Sequence, residues 1–392
     1  MINFLLSESF WYLSLAVALS FVVTHVTIPA VIRVAREKHL LEEPNNRSSH
    51  FQKTPSLGGI AIFASLAIVF LLIAHFYPAA SDTFYLILPP LIILFFIGLK
   101  DDILVIDPQK KLAAQIIAAS LTIACADIRI GSLFGLFGVH ELPYFVSFVL
   151  SLFIFVVVIN AYNLIDGIDG LAGSLGIVAA ASFGVYFYLT EIGWAVVLSA
   201  TLIGSLASFL FFNHSRHSKV FMGDSGSLVV GFVLAVLAVA FIQINEASHA
   251  YHVPNAPTVA IVVLAIPLFD ALRVFSQRIL AGYAPFRADR NHIHHFIIDG
   301  GFSHRRASAL LASLSLVVIA LGFLWLPQAS VGESFAKLMA VFLLYSFLLR
   351  RNNALTRRSK LSVRKPAKAT HPIAKPQSVE VKLPAKVEVE LD

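Results

Sequence analysis

Long apolar stretches constrain this chain more than any other feature. Runs of about 20 apolar residues recur from one end of the sequence to the other, and each is long enough to cross a lipid bilayer as a helix. Of the 392 residues, 58% are hydrophobic and only 13% are charged. A water-soluble domain carries about 25% charged residues, so the composition excludes an ordinary soluble core. A membrane β-barrel would show alternation over about 10 residues instead of continuous runs. The expected fold is all-α, a polytopic transmembrane helical bundle of about 11 spans near 10–32, 57–77, 84–99, 110–126, 143–160, 170–189, 193–212, 226–244, 258–280, 307–326 and 334–349. The first run has no basic residue before it and no small-residue cleavage site, so it reads as a retained span.

Basic residues orient this bundle. With the N-terminus outside and the C-terminus in the cytoplasm, 27 of the 29 Lys and Arg fall in inner segments, and only Arg129 and Lys337 fall outside. Residues 1–350 read as one membrane-embedded domain. Residues 351–392 are rich in Lys, Pro, Ala and Val and lack aromatics, which predicts a disordered cytoplasmic tail. Its basic first half suits either anionic lipid heads or a purely topogenic role. The net charge of +6 comes largely from that tail, so it does not signal nucleic-acid binding. The single cysteine, Cys125, cannot form an internal disulfide and is expected to be a small buried hydrophobe.

Five polar segments interrupt the apolar pattern, and this topology places all five on one side. The first, Arg47-Ser48-Ser49-His50 followed by Thr54-Pro55-Ser56-Leu57-Gly58-Gly59, reads equally as a turn entering a span, and it contains no Walker-type phosphate loop. Asp101-Asp102 closes the third span. Adjacent carboxylates repel, so a cation, a base role or plain hydration must compensate.

In Asn160-Ala161-Tyr162-Asn163-Leu164-Ile165-Asp166-Gly167-Ile168-Asp169-Gly170, the spacing of Asn163, Asp166 and Asp169 puts three oxygen-bearing side chains on one side of a helical turn. Oxygen-rich sites of this kind suit Mg2+, although a turn capped by Asn and Asp is the plainer alternative. The segment has no Lys or Arg to neutralise its carboxylates. Gly223-Asp224-Ser225-Gly226-Ser227 opens the eighth span, where Asp224 and Ser225 suit a helix cap, and free amides there could bind an anion. The last segment, Asp289-Arg290-Asn291-His292-Ile293-His294-His295, could grip a diphosphate or, with three histidines, a zinc ion. Hard oxygen ligands elsewhere favour the diphosphate. Carboxylates and histidines gathered on one face point to a catalytic site for a charged soluble substrate and a partner held in lipid. A secondary transporter is the rival from another class, but transporter sites lie near the midplane, and these residues lie at span ends.

These five segments, in this order over roughly residues 40–305, resemble the polyprenyl-phosphate N-acetylhexosamine-1-phosphate transferases. The match to the undecaprenyl-phosphate GlcNAc-1-phosphate branch is carried by Asn163 to Ala172, by Gly223 to Ser227, and by an Asp-Arg-x-His-x-His-His run. In the related phospho-MurNAc-pentapeptide transferases the histidines are consecutive, whereas Ile293 interrupts them here.

The resemblance implies transfer of a HexNAc-1-phosphate from UDP-HexNAc to undecaprenyl phosphate in the bacterial inner membrane, with Mg2+ as cofactor (Mn2+ as a substitute) and the option of a homodimer. It implies that Asp224 and Asn163 hold the metal. Asp101 and Asp102 would lie beside the lipid phosphate, with Asp101 or its neighbour a candidate base, and Asp166 would shape the metal and phosphate site. Asp169 would contact uracil. Arg290 and His292 would bind the diphosphate, with His294 and His295 supporting that segment, and Leu57, Gly58 and Gly59 would line the nucleotide pocket.

Overall fold

A computed structural model describes residues 8–41, 53–77, 81–247, 251–282, 292–325 and 329–363. Among them the chain is helical, with no strand; β-type pairing is confined to isolated bridge residues such as Ser132 and Glu141. The helices are α1 (Glu8–Glu37), α2 (Gly58–Phe76), α3 (Ser81–Leu104), α4 (Pro108–Ala126), α5 (Tyr144–Ile165), α6 (Leu171–Leu189), α7 (Gly193–Asn213), α8 (Gly223–Ala247), α9 (Ala256–Val263), α10 (Ala265–Leu280), α11 (Ile293–Asp299), α12 (His304–Trp325) and α13 (Val331–Val363).

Eight of these helices are long and apolar enough to span a membrane: α1, α2, α3, α5, α6, α7, α8 and α12. The count becomes nine if α9 and α10 form one span, bent by 82°. The stretches 110–126 and 334–349 are helical, within α4 and α13, but are not among these eight. Residues 343–392 form a separate unit. Its described helix runs to Val363, inside the stretch expected to be disordered, and residues 364–392 lie outside the described residues.

Helix α8 forms the centre of the main unit. It is apolar on every face, the signature of a helix surrounded by others. Leu228, Val230, Phe232, Leu234 and Leu237 are all fully buried. Helices α2, α3, α5, α6 and α9 pack around it, and α7 lies among α1, α2 and α6.

In lipid the helices gain little from apolar burial, so close backbone approach and interhelical hydrogen bonds must hold them. Both are present. Thr24 donates to Ser205 at 3.0 Å, joining α1 to α7, and Ser65 donates to the Ser20 carbonyl at 3.1 Å, joining α2 to α1. Helix α2 crosses the start of α8 at glycine: a Cβ on Gly59 would overlap the Gly226 nitrogen and the Ser225 hydroxyl. Gly58 and Gly59 donate their amides to the Phe221 and Met222 carbonyls at 2.9 and 2.8 Å. Cys125 is exposed, contrary to expectation. Helix α4 packs chiefly on α3 and α5, which leaves Cys125 on its open side.

Candidate active site

A cavity of about 580 Å³ opens at the bundle end where α3, α5 and α7 finish and α6, α8 and α12 begin. Asp102, Asn163, Asp166, Asp169, Asp224 and His295 all line it. With Ser56 from the first segment, all five polar segments thus contribute to one site. Arg47 to His50 and Arg290 lie outside the described residues.

Helix α3 continues through Leu104, so Asp101 and Asp102 occupy its last turn. Asp102 reaches across to the start of α8. Its Oδ1 accepts from the Asp224 amide at 2.6 Å, and its Oδ2 accepts from the Ser225 amide at 3.0 Å and the Ser225 hydroxyl at 2.6 Å. A carboxylate is an effective helix cap because the first amides lack partners and carry the positive end of the dipole. Asp102 therefore occupies the anion position at the α8 N-terminus, and a substrate phosphate cannot use these two amides while it stays there. Asp101 is turned elsewhere. Its Oδ1 accepts from the Ile106 amide at 2.7 Å and its Oδ2 from Lys111 at 3.2 Å.

Asp224 is the hub. Its Oδ2 accepts from Lys111 at 2.5 Å and its Oδ1 from the Asn163 amide nitrogen at 2.5 Å, while Asn163 also donates to the Ser227 hydroxyl at 2.7 Å. Lys111 thus bridges Asp101 and Asp224 from α4, and neither sequence spacing nor the resemblance singled it out. Among the described residues no three His, Cys, Asp or Glu side chains form a metal cage. A divalent ion here would take few protein ligands and complete its shell with water and phosphate, the habit of Mg2+. Asp224 and Asn163 fit that role as hard oxygen donors, since rotation of the Asn163 amide presents its oxygen.

The 163–169 spacing does not form a helical face. Helix α5 ends at Ile165, and Asp166 adopts φ −77°, ψ 57° as its C-cap. Asn163 turns to Asp224, while Asp169 turns to Lys219 at 2.6 Å and to His304 at 3.1 Å. The segment lacks a cation of its own, but Lys219 supplies one from the α7–α8 connection, so the absence of a local Lys or Arg is no argument for a metal at Asp169. Burial alone would raise the Asp169 carboxyl, yet His304 and Lys219 together hold it below the ordinary carboxylate value. Asn213 accepts from the Gly170 amide at 2.6 Å and Ser308 donates to the Asp169 carbonyl at 2.6 Å, fixing the segment between α7 and α12.

Leu57, Gly58 and Gly59 do not line the cavity. They are buried against residues 221–226, and it is Ser56 that faces the opening. The reason is steric, since only residues without bulk at 58 and 59 allow α2 to approach α8 this closely.

On the histidine segment, His292 is buried and its Nδ1 lies 2.8 Å from Asp270. His294 stacks parallel to His292 with centroids 5.6 Å apart, and a Cβ on Gly167 would overlap its ring. Burial, with His295 and His292 alongside, pushes His294 down to about 3, so its ring is neutral at physiological pH. Arg273 belongs to α10 and is buried with Asp270; it is not one of the inner-loop cations. A charged pair inside an otherwise apolar run is itself a signal of function. The sequence carries that signal at Asp270 and Arg273, outside the five polar segments.

Fold and site together define a multi-pass membrane protein with a carboxylate-rich cavity at one end of its helices. The glycosyl transferase family 4 model matches residues 84–242. The chain is 30% identical over 327 residues to the undecaprenyl-phosphate alpha-N-acetylglucosaminyl 1-phosphate transferase of Escherichia coli O157:H7, covering 81% of this chain and 86% of that one. It is 31% identical over 351 residues to the protein of the same name from Yersinia pestis, covering 86% and 93%. The Haemophilus influenzae protein of that name is 28% identical over 352 residues, covering 88% and 96%. The chain belongs to glycosyl transferase family 4.

Proposed function

We propose that this protein transfers a HexNAc-1-phosphate, with GlcNAc-1-phosphate the first choice, from a UDP-sugar to undecaprenyl phosphate. The products are undecaprenyl-diphosphate-HexNAc and UMP. The observation that carries this reading is the Asp224 hub: a carboxylate at the start of the central helix, facing a cavity and tied to Asn163, in a chain whose relatives bear that activity in their names. At about 580 Å³ the cavity falls within the range of small-molecule sites.

An oxygen of the lipid phosphate forms a bond to the sugar-proximal phosphorus. The bond from that phosphorus to the bridging oxygen breaks, and UMP leaves with the electron pair. The attacking phosphate is largely ionised at neutral pH, so it needs little help from a base. Asp101, with both oxygens already engaged, fits an electrostatic role beside Lys111 better than a proton-accepting one. The main obstacle is the approach of one anion to another. Bound Mg2+ would supply charge neutralisation, held by Asp224 and Asn163. Asp166 would shape the phosphate pocket beside it, and Asp169, braced by Lys219, would present its remaining acceptor capacity to uracil.

In this reading the cavity end faces the cytoplasm of a bacterium, as the basic-residue asymmetry supports, where UDP-sugars are available and the lipid phosphate lies at head-group depth. The test is a membrane-fraction assay with undecaprenyl phosphate and radiolabelled UDP-GlcNAc, with and without EDTA, on wild type and Asp224→Asn. The expected result is butanol-extractable label that is lost with EDTA and in the variant. Labelling by another UDP-HexNAc in place of UDP-GlcNAc changes the sugar alone. No labelling by any UDP-sugar, in folded protein, removes the transferase reading.

A further inference from the structure

Asp270 lies on α10 inside the apolar run Ile266-Pro267-Leu268-Phe269-Asp270-Ala271-Leu272, where a carboxylate needs a reason to be. Its side chain is 1% exposed and engages three nitrogen groups. Oδ1 accepts from Arg273 Nη2 at 2.7 Å and from the Ile293 backbone amide at 2.9 Å, and Oδ2 faces His292 Nδ1 at 2.8 Å. Arg273 is equally buried, with its guanidinium over the Phe296 ring at 5.5 Å.

A buried ion pair is seldom more stable than the apolar residues that could replace it. A pair needed for stability alone could also be complete within α10, because Asp270 and Arg273 are three residues apart on that helix. Here two of the three contacts leave α10 for the histidine segment. One takes the first amide of α11, the helix that carries His295 to the cavity. The other takes a specific nitrogen of His292. A carboxylate can only accept, so that nitrogen must carry the proton.

We propose that Asp270 is a positioning residue for transfer. It holds the Nδ1 proton of His292, which leaves Nε2 as the ring nitrogen available to a substrate, a donor to phosphate only where it too carries a proton, and it pins the first turn of α11 to α10. Arg273 supplies a counter-charge to that carboxylate. The stack of His292 on His294, and of His294 on Gly167, extends this alignment to the carboxylate segment. The arrangement follows a general design in which a carboxylate behind a histidine sets tautomer and orientation without touching substrate. The catalytic half of the inference rests on the transferase reading above.

The test uses full-length protein in membranes. Rates are measured for Asp270→Asn, His292→Gln and the double variant. Because Asp270→Asn removes one counter-charge of Arg273, Asp270→Asn/Arg273→Gln is made alongside it and scored for folding. We expect each of the first two changes to lower kcat/KM by about 10- to 100-fold. The double variant should be no worse than the poorer single one, because both changes remove the same contact. Asp270→Asn/Arg273→Gln should fold and remain impaired. Losses that multiply in the double variant, or recovery of wild-type rates in Asp270→Asn/Arg273→Gln, would overturn the proposal. Nitrogen-15 NMR of histidine-labelled protein, with His292→Gln for assignment, reads the tautomer directly. A proton on Nδ1 is expected, and an unprotonated Nδ1 refutes the assignment. Should wild type form no lipid-linked product, the transferase reading falls while the NMR result still decides the role of Asp270.

Discussion

The two ends of the bundle use polar side chains in different ways. At the end away from the cavity, mainly neutral groups serve the backbone. Gln243 donates to the Asp127 carbonyl at 2.8 Å and accepts from the Arg129 amide at 3.3 Å. Ser147 and Ser151 hold the carbonyl and amide of Ile130 at 2.6 and 2.8 Å, and Asn245 does the same for Val253 at 2.9 and 2.7 Å. At the cavity end, carboxylates dominate, with lysines, histidines and a helix N-terminus as their partners. Neutral contacts are enough to close a turn. Charges kept near the bundle interior around a cavity are expensive and point to a ligand that needs them.

The comparison can be broken first at Asp102. Asp102→Ala removes three hydrogen bonds from the start of α8 and leaves buried donors unpaired. We expect a loss of about 3 kcal/mol in thermal or denaturant stability in detergent, together with at least a tenfold drop in transfer rate. An unchanged melting temperature would show that water replaces the cap. Next comes Gly59→Ala, in which the added methyl group meets α8 backbone. Overpacking of this kind costs about 1–3 kcal/mol, read as lower yield and melting temperature, although residue 59 does not line the cavity.

Acid sharpens the contrast. Asp169 is held below its ordinary 3.8, so its contribution is complete above that pH and disappears as pH falls through the folded value. The melting-temperature gap between wild type and Asp169→Asn should stay constant down to about pH 4 and close below it. His294 is depressed from 6.5 to about 3, so the unfolded chain binds a proton that the folded one refuses, and stability is lost as pH falls through that window. His294→Gln should flatten this slope. The smallest effect is expected at the far end. Gln243→Ala should cost about 1 kcal/mol and leave the transfer rate of folded protein within twofold. A large loss of rate there would mean that the two ends are coupled.

The helical, membrane-spanning character was legible because apolar runs of span length permit few alternatives. Span boundaries were harder to place. Helix α3 carries Asp101 and Asp102 a full turn past the expected stop at 99, and the stretch read as one span over 258–280 bends at Leu264 into α9 and α10. Sequence motifs brought Asp102, Asn163, Asp166, Asp169, Asp224 and His295 to one cavity, as the polar-segment argument required. Their partners were not legible. Lys111 meets Asp224 across 113 positions of sequence and Lys219 meets Asp169 across 50, and no local pattern encodes such pairings. Gly58 and Gly59 drew attention as pocket residues, but their smallness serves helix packing.

The crossing of α2 and α8 at Gly59 and Gly226 bears on how such an enzyme can change. A library that varies residues 56–60 and 223–227 in search of new donor sugars should return few active clones at 59 and 226, and a depleted position there would look like a substrate contact. The intolerance would come from the width of a methyl group between two helices. On the proposed reaction, variation in sugar choice is better sought at His39 to Leu41, which border the cavity just past the end of α1.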